Sequence, residues 1–548
     1  LEPVVNFSIE PGQSIREAIQ LAEQSHEDLL GYTLDGKQYR AHRDDLEKMA
    51  AMGLDALPVE AIAVPEDSPL LYERTCLSAT LDYSRRLSEF FPVYFVAALY
   101  ELQSLMQRFE AKAYVIGGII RGMLLHQEKK LHMQDVDITI EGDAIELADF
   151  LSRNSRNFQM LECYPEFGTA KVQYKDSLVF DLASTRREIY AHCGALPVVV
   201  ERAVPLSNDV IRRDFTVNAL AFSIHELGHV LDYTNGIQDI KTRTLRVLHP
   251  VSFFEDPSRI LRALKFCARF DFRLSEETQL LLERFIQYGA QCYKGGGERI
   301  KQELKAFFNV DESPVKCAWI QFFLKSGCYR LINMECEEFR PSDELYDQLC
   351  NLSVTLPIIQ ESLTQYVDDD FSFDIYLSFL CRDMDLTAFQ SIAHRLGLTR
   401  NEREFVEQFR KQRERLLRQF AELREFSSPA EIYDMFRGLH FITVAATIAE
   451  VGYRDEKRMR VCLEAFAKYK RKWENLRLEL DGNDLIELGV PEGKEIGRLL
   501  DELLHVKLAG RLPERMDEVQ YVKNVLKLRE GDAEPYTEKG SGHELPSD

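Results

Sequence analysis

The residues best equipped for chemistry are two aspartates, Asp135 and Asp137, that open the apolar run at 136–140. On a strand, residues i and i+2 share a face. The two carboxylates then stand side by side and repel unless a cation lies between them. Oxygen ligands of this kind suit Mg²⁺, which keeps some waters and completes its shell with substrate phosphates. About one helix upstream, an apolar strand at 113–116 runs into Gly117-Gly118, and Arg121 follows in the first turn of a helix. Glycines there let backbone N–H groups approach an anion. Singly, a Gly-Gly pair is a tight turn and an Asp-x-Asp a solvated strand end. In this order, inside one strand–helix–strand unit, they describe metal-assisted chemistry on a nucleoside triphosphate.

Three further stretches could join them. Asp181, at the end of the strand starting at Leu178, is either a third carboxylate beside the pair or an ordinary strand-end residue. NDVIRRDFTVNALA at 208–221 has two readings. Arg212 and Arg213 can ion-pair with Asp214; alternatively an arginine meets phosphate while Asp214 and Asn218 bond a ribose hydroxyl. In EDPSRILRALKFCARF at 255–270, Pro257 suits a first helical position, with Asp256 as N-cap and Arg259 one turn in. An acceptor beside a donor matches the amino group and ring nitrogen of cytosine or adenine and mismatches guanine and uracil, with no template. The plain alternative is a capped helix with an i, i+3 ion pair. GGG at 295–297 leads into a helix, ERIKQELKAFF, that would brace the Asp256 helix. Towards the end, Lys494 and Arg498 after Gly493, Arg410 and Lys411 in RKQRERLLR, and KYKRK at 468–472 are either RNA-backbone contacts or solvated helix faces.

The elements that must position these groups fall into a succession. Residues 1–66 read as a small α/β unit: a helix at 15–24 after Ser14, a strand pair turning at Asp35-Gly36, a helix at 43–52, and a strand at 59–64. Residues 67–94 read as linker and helix, with helical pattern from about 76 to 109. A mixed sheet with helices follows to 245, with strands at 113–116, 136–140, 170–174, 178–182, 221–224 and 230–232. From Phe254 the pattern is helical, and 533–548 is polar and read as disordered. The 548 residues allow several domains. The 11 scattered cysteines fit free thiols in a reducing, cytoplasmic setting better than disulfides. The most apolar stretch, 90–102, is too short to span a bilayer, so no membrane partner is expected. A net charge of −22 opposes non-specific RNA binding but not a local basic groove. The chain begins at Leu1 rather than Met, which leaves its natural start open.

In this order the motifs resemble the class II tRNA nucleotidyltransferase (CCA-adding) and bacterial poly(A) polymerase family of the polymerase-β-like superfamily, over about residues 95–525. GGIIRGMLL with DVDITIEGD resembles the metal and triphosphate motif, RRDFTVNALA the ribose motif, LDYTNGIQDI at 231–240 the hinge motif, EDPSR the base-pairing motif, and GERIKQEL the bracing helix. The resemblance implies an α+β chain: a nucleotidyltransferase head (95–245), then an all-α neck (246–310), body (311–440) and tail (441–532). It also implies that Asp135 and Asp137 bind two Mg²⁺ and activate an RNA 3′-hydroxyl against the α-phosphate, with Asp181 as third acidic residue. The resemblance further implies that the RNA 3′ end, here of a tRNA, enters between head and neck. One departure stands out: the family usually reads Gly-Gly-x-Val-Arg-Asp, and Gly122 takes the place of that Asp. Residues 1–66, with LDGKQYRAHRDDLEKMAAMGLDALPV at 34–59, resemble a single CBS repeat.

The expected activity is template-independent addition of C and A, from CTP and ATP, to tRNA 3′ ends. A-only addition, poly(A) synthesis and a catalytically silent RNA-binding protein are the alternatives. The oligomeric state and any ligand of the N-terminal unit are not legible in the sequence.

Overall fold

The computed structural model describes residues 9–71, 77–125, 135–175, 178–293, 296–310, 315–332, 341–367, 370–424 and 427–530. The expectation of disorder at 533–548 lies outside these residues. Two compact units divide the chain. One comprises Leu1–Tyr346 with Met384–Leu398, the other Asp347–Asp383 with Thr399–Asp548.

The first unit opens with α1 (Ile15–Ser25), started by a reciprocal capping box between Ser14 and Glu17. β1 (Leu29–Leu34) and β2 (Lys37–His42) form a hairpin in which Asp35 and Gly36 have φ of 50° and 76°, as a primed turn demands. After α2 (Arg43–Ala51), the strand expected at 59–64 is instead a 3₁₀ turn, Val59–Ala61, and a two-residue β3 (Val64–Pro65) on the edge of β2. Every residue from Ala61 to Val64 is buried, and a short, continuous apolar run does not itself choose between strand and buried turn.

The catalytic-type motifs sit on an eight-stranded mixed sheet. Its first strand, β4 (Ala79–Asp82), lies where the sequence suggested helix. It is an edge strand, half-exposed along its length, that exists by pairing with a partner about 150 residues away. Then come α3 (Leu87–Phe90), α4 (Val93–Met106), β5 (Lys112–Ile116), α5 (Gly118–Leu124), β6 (Asp135–Glu141), α6 (Ala144–Asn154), β7 (Phe158–Tyr164), β8 (Thr169–Tyr174) and β9 (Leu178–Ser184). A two-stranded ribbon, β10 (Arg186–Ile189) and β11 (Val198–Arg202), stands beside the sheet. It leads through α7 (Leu206–Ile211) back to β12 (Ala221–Ser223) and β13 (His229–Asp232). The order is β4-β13-β12-β5-β6-β9-β8-β7, with β6 and β9 parallel and the other pairings antiparallel. Val136, Ile138 and Ile140 of β6 and Leu178, Phe180 and Leu182 of β9 are buried. Alternation therefore turns Asp137 and Asp181 to the opposite face.

α8 (Gly236–Lys241) and β14 (Thr244–Leu245) lead into a helical region. It holds α9 (Ser252–Glu255), α10 (Ser258–Phe270), β15 (Arg273–Leu274), α11 (Glu276–Arg284) and α12 (Gly297–Phe308), with α10 packed along α12. α13 (Lys316–Lys325) and α16 (Leu386–Arg395) complete this unit, and α14 (Asp343–Leu363) runs from it into the second. The second unit is helical. α15 (Ser372–Leu380), α17 (Arg400–Glu422), α18 (Pro429–Phe436), α19 (Phe441–Arg454) and α20 (Glu456–Lys472) form a packed group that crosses the boundary expected at 440 without a break. α21 (Gly482–Glu487), α22 (Lys494–Leu508) and α23 (Arg515–Glu530) share an apolar cluster around Leu485, Leu499, Leu503 and Val522. The fold class is α+β, as expected. Among the described residues no helix is long and apolar enough to cross a membrane.

The junction of α9 and α10 carries buried charge. Glu255 accepts from Arg259 Nη1 at 3.3 Å and lies 3.2 Å from His249 Nε2. Burial disfavours its ionised form, but His249 and Arg259 outweigh that and hold its pKa at about 2, against an ordinary 4.5. A carboxylate depressed in the folded state stabilises fully above its unfolded pKa, and the stabilisation is lost as pH falls towards the folded value. Urea unfolding between about pH 6 and pH 3 is expected to weaken more steeply in wild type than in Glu255→Gln. Parallel pH slopes would remove Glu255 as a source of acid sensitivity.

Candidate active site

Gly117, between β5 and α5, has φ of +88°, and a Cβ on it would lie 3.8 Å from Asp137 Oδ2. The residue type is thus set by backbone conformation, and the glycine leaves Asp137 in close reach of the β5–α5 turn. Asp137 is exposed, and Asp181 of β9 is its register partner on the same open face. Asp181 is a mid-strand residue, not the strand end expected, and pairs with Lys171 of β8 at 3.2 Å. Asp135 opens β6; its side chain lies outside the described residues. Among the described residues no three Asp, Glu, His or Cys side chains converge to hold a metal ion. Asp137 and Asp181, hard oxygen donors at neighbouring positions on an open sheet face, still fit a divalent ion that takes the rest of its shell from water and phosphate.

Arg121, four residues on from Gly117, does not point into solvent. Its guanidinium donates through Nη1 to Asn218 Oδ1 and lies 4.7 Å and 4.6 Å from the ring centroids of Phe266 and Phe270 on α10. Burial pulls its pKa down to about 10, which leaves it charged at neutral pH. Asn218 passes the link on, donating Nδ2 to Asp214 Oδ1 at 3.0 Å. Asp214 also accepts from the Phe215 backbone N–H at 2.8 Å and from Arg262 at 3.3 Å. Burial opposes its charge, but Arg262 and Asn218 hold the carboxyl below the ordinary range. One of the two readings of the sequence paired Arg212 and Arg213 with Asp214. The structure pairs both with Asp209 instead, one helical turn earlier. Fully buried, Asp209 accepts from Arg212 at 2.7 Å, Arg213 at 3.0 Å and the Arg186 backbone N–H at 3.0 Å. The i, i+3 and i, i+4 spacing of Asp209 to the two arginines was the signal that could have found it.

Asp256 and Arg259 sit where the neck meets this group. α10 is assigned from Ser258, but Pro257 already has helical dihedrals and Asp256 is extended, so the ends differ by one residue in labelling only. Asp256 Oδ1 accepts the Ser258 N–H at 3.0 Å, as a cap does. The i, i+3 ion pair is not formed. Asp256 Oδ2 instead takes Arg299 of α12 at 3.0 Å, and Arg299 also donates to the Gly194 carbonyl at 2.7 Å. Arg259, 5% exposed, donates to Ser252 Oγ at 2.8 Å, to Glu255, to the Arg212 carbonyl at 3.0 Å and to Tyr190 at 3.4 Å. The bracing helix α12 does more than pack: its Glu303 receives Arg262 and Lys265, each at 2.7 Å. Gly297 at its start has no room for a Cβ, which would overlap the Arg395 carbonyl. Gly296 has φ of +68°, and Gly295 lies outside the described residues.

These side chains line one cavity of about 560 Å³ that contains Gly117, Gly118, Arg121, Arg212, Arg213, Asp214, Asn218, Asp256 and Arg259 together. Seven lining residues are cationic (Arg121, Arg186, Arg212, Arg213, Arg259, Arg262, Lys265) against four carboxylates (Glu188, Asp214, Asp256, Glu303). Within a chain of net charge −22 this is a local excess of positive charge. Arg121 Nε and Arg213 Nε are buried there without a hydrogen-bond partner among the described residues. Glu188, Arg262, Arg299 and Glu303 were not read from the sequence; apart from the Arg186–Glu188 pair, their partners are distant in the chain, and nothing in their local spacing marks them. Lys494, Arg498, Arg410 and Lys411 belong to the second unit. There Arg498 pairs with Glu495 at 2.8 Å and Lys411 with Glu407 at 3.2 Å.

The family described as Poly A polymerase head domain matches residues 113–246, the segment that holds β5, β6, β9 and the Asp209–Asn218 group. The A-adding tRNA nucleotidyltransferase of Aquifex aeolicus is 31% identical over 395 residues, 72% of this chain and 44% of that protein. The chain spans about half the length of the A-adding relatives it matches. Among solved structures, a CCA-adding enzyme in complex with CTP aligns with a TM-score of 0.65 at 26% identity, covering 82% of this chain and 99% of its own. The Thermotoga maritima CCA-adding enzyme complexed with tRNA-CCA aligns with a TM-score of 0.62 at 25% identity, over 82% and 99%. The order of the motifs, the cavity shared by Gly117, Arg121, Asp214, Asn218, Asp256 and Arg259, and these likenesses agree: the chain belongs to the class II tRNA nucleotidyltransferase and bacterial poly(A) polymerase family.

Proposed function

We propose that the chain adds C and A, from CTP and ATP, to the 3′ end of tRNA without a template, using Mg²⁺. One observation carries this reading: a single cavity is lined both by Gly117, which lies against Asp137, and by the Asp256–Arg259 edge. A nucleoside triphosphate seated there has its phosphates near the carboxylate face and its base near the neck. Relatives point the same way, since CCA-adding enzymes have been solved with CTP and with tRNA-CCA.

The family generally uses a divalent metal, and here Asp135 and Asp137 would hold it, with Asp181 alongside. Bound there, the ions neutralise charge on the reacting phosphate and lower the pKa of the attacking hydroxyl. This chain's own groups do the rest. Arg212 and Arg213, fixed through Asp209, face the phosphates, and the unpartnered Arg213 Nε and Arg121 Nε are donors that an anion can satisfy. Asp214 and Asn218 offer acceptor and amide to the ribose. Asp256 and Arg259, each restrained by contacts to other residues, present an acceptor and a donor to the base edge. Fixing both before the substrate arrives avoids reorganisation at the moment of selection. Lys494, Arg498, Arg410 and Lys411 serve the RNA backbone; Arg498 and Lys411 pair with Glu495 and Glu407 on their own helices, surface contacts of low net worth that phosphate can displace.

A second reading has its own support: the 31% identical Aquifex relative is named A-adding. Incubation with tRNA ending before CCA, at CC, and complete, with each labelled nucleotide in turn, separates the two. CCA addition requires C and then A on the first substrate. Labelling with A alone on the CC form replaces it with A-addition, and long A tails on any RNA indicate a poly(A) polymerase. Binding of tRNA with no incorporation in the presence of Mg²⁺ would leave a silent RNA-binding protein.

Asp137→Ala is expected to cut incorporation by about 10³-fold or more while sparing tRNA affinity in a filter-binding measurement. Retained turnover would move the metal site elsewhere. Asp209→Asn removes one charge from under Arg212 and Arg213, and should raise KM for CTP and ATP alike by roughly 5- to 50-fold, without altering the choice between bases. A change confined to one nucleotide would contradict its assignment to the phosphate side.

A further inference from the structure

The N-terminal α/β unit is seated on the neck, and one side chain makes the key contact. Arg284, the last residue of α11, is 8% exposed. Its guanidinium donates to the Ala63 carbonyl and, at 3.4 Å, to the Tyr32 hydroxyl, and lies 5.2 Å from the Tyr39 ring centroid. Tyr32 and Tyr39 stack at 5.3 Å with 14° between their planes, so the cation is received by a cradle that the hairpin itself builds. A guanidinium withdrawn from water this far is costly unless its donors and its charge are met. Those needs are met by the N-terminal unit, which therefore fixes the end of α11 in place.

The chain does not continue from Arg284 as an ordinary helix. Phe285–Gly289 forms a π-turn, a wide turn frequent at functional sites. Phe285 is fully buried and meets Phe254 edge-on, with centroids 5.1 Å apart and 71° between planes. A Cβ on Gly289 would come within 2.6 Å of both rings, so the contact admits no slack. Phe254 is followed by Glu255, which accepts from Arg259, and by Asp256. A contiguous set of packed side chains thus runs from Tyr39 and Arg284 through Phe285 and Phe254 to the base-facing pair. From the other side, Lys48 of α2 adds its charge to the field at Glu255.

We propose that Arg284 is a positioning residue for base selection: clamped by the N-terminal unit, it sets the π-turn and Phe254, and so the placement of Asp256 and Arg259. The inference rests on the reading of Asp256 and Arg259 as the base-selecting pair. It gives the N-terminal unit a task in the reaction without requiring that unit to touch a substrate.

Spatial continuity alone does not demonstrate coupling, so the test is a double-mutant cycle in the full chain. Arg284→Met and Tyr39→Leu are each expected to lower the preference for CTP and ATP over GTP and UTP by about 3- to 30-fold, read as ratios of kcat/KM on a tRNA acceptor. KM for the correct nucleotides should move more than kcat. The double variant should be no worse than the worse single one, as residues acting through one contact require. Arg284→Lys, which keeps a cation over Tyr39, should recover part of the preference. A uniform loss on all four nucleotides that follows the fall in Tm, or unchanged ratios in both single variants, overturns the proposal and leaves the contact purely architectural. If the wild-type chain incorporates nothing, the transferase reading fails on its own. The clamp is then judged by equilibrium binding of CTP, ATP, GTP and UTP to wild type and Tyr39→Leu, where identical preferences overturn it.

Discussion

A buried guanidinium has to be satisfied on every side, and Arg259 is satisfied by two parts of the first unit at once. Ser252 and Glu255 come from the neck; the Arg212 carbonyl and Tyr190 come from the sheet side. Removing a charge from water costs several kcal/mol unless hydrogen bonds and an opposite charge replace hydration. The structure therefore cannot separate head from neck around Arg259 without stranding it. Burial favours its neutral form, and Glu255 reverses that and holds the guanidinium firmly charged. The same residue that closes the junction also lines the cavity, so the junction's rigidity and the geometry of the site have one cause.

That logic repeats around the cavity. Arg121 is fixed by Asn218 and two phenylalanine rings, Arg212 and Arg213 by Asp209, Arg262 and Lys265 by Glu303, and Asp256 by Arg299. In each case one side chain anchors another that faces the open space. Anchoring charges in this way keeps the lining net positive in a strongly acidic chain, since every carboxylate in it has a cationic partner and cations remain in excess. The global charge repels polyanions at long range, but within a Debye length of roughly 8 Å at physiological salt the local arrangement decides.

How much of this was legible in the sequence follows from how local each interaction is. The alternation of β6 put Asp137 opposite the core residues Val136 and Ile138, and period-2 geometry needs no tertiary information. Nine of the cavity's lining residues, among them Gly117, Arg121, Asp214, Asn218, Asp256 and Arg259, fall in motifs whose order is legible in the sequence. What failed was partner choice. Arg212 and Arg213 have an adjacent carboxylate in Asp214, yet adjacent residues do not face each other on a helical turn, and Asp209 at i−3 and i−4 does. Asp256 and Arg259 have the right spacing for an ion pair, but Arg299 of α12 takes Asp256 and the local i−4 residue Glu255 takes Arg259 instead. β4 and the buried turn at 59–61 were misread because their state is set by what they pack against. Asp181, for which the sequence left two readings open, is the register partner of Asp137 and a mid-strand residue, because the strand continues to Ser184.

Gly122 shows how a departure from a family pattern can be absorbed. Where relatives usually place an aspartate beside the motif's arginine, this chain has a glycine at a buried position in α5. A carboxylate there would have to be desolvated, and its natural counter-charge is Arg121. Arg121 is already occupied: Asn218 takes one nitrogen, and the faces of Phe266 and Phe270 take the charge. Two aromatic faces and one amide supply, without a second buried ion, much of what an adjacent carboxylate would supply. They also draw Arg121 towards α10, on which both rings are carried, and so tie the glycine turn next to Asp137 to the helix that starts at Asp256 and Arg259. The residues that hold Arg121 without an adjacent carboxylate therefore join the two ends of the cavity.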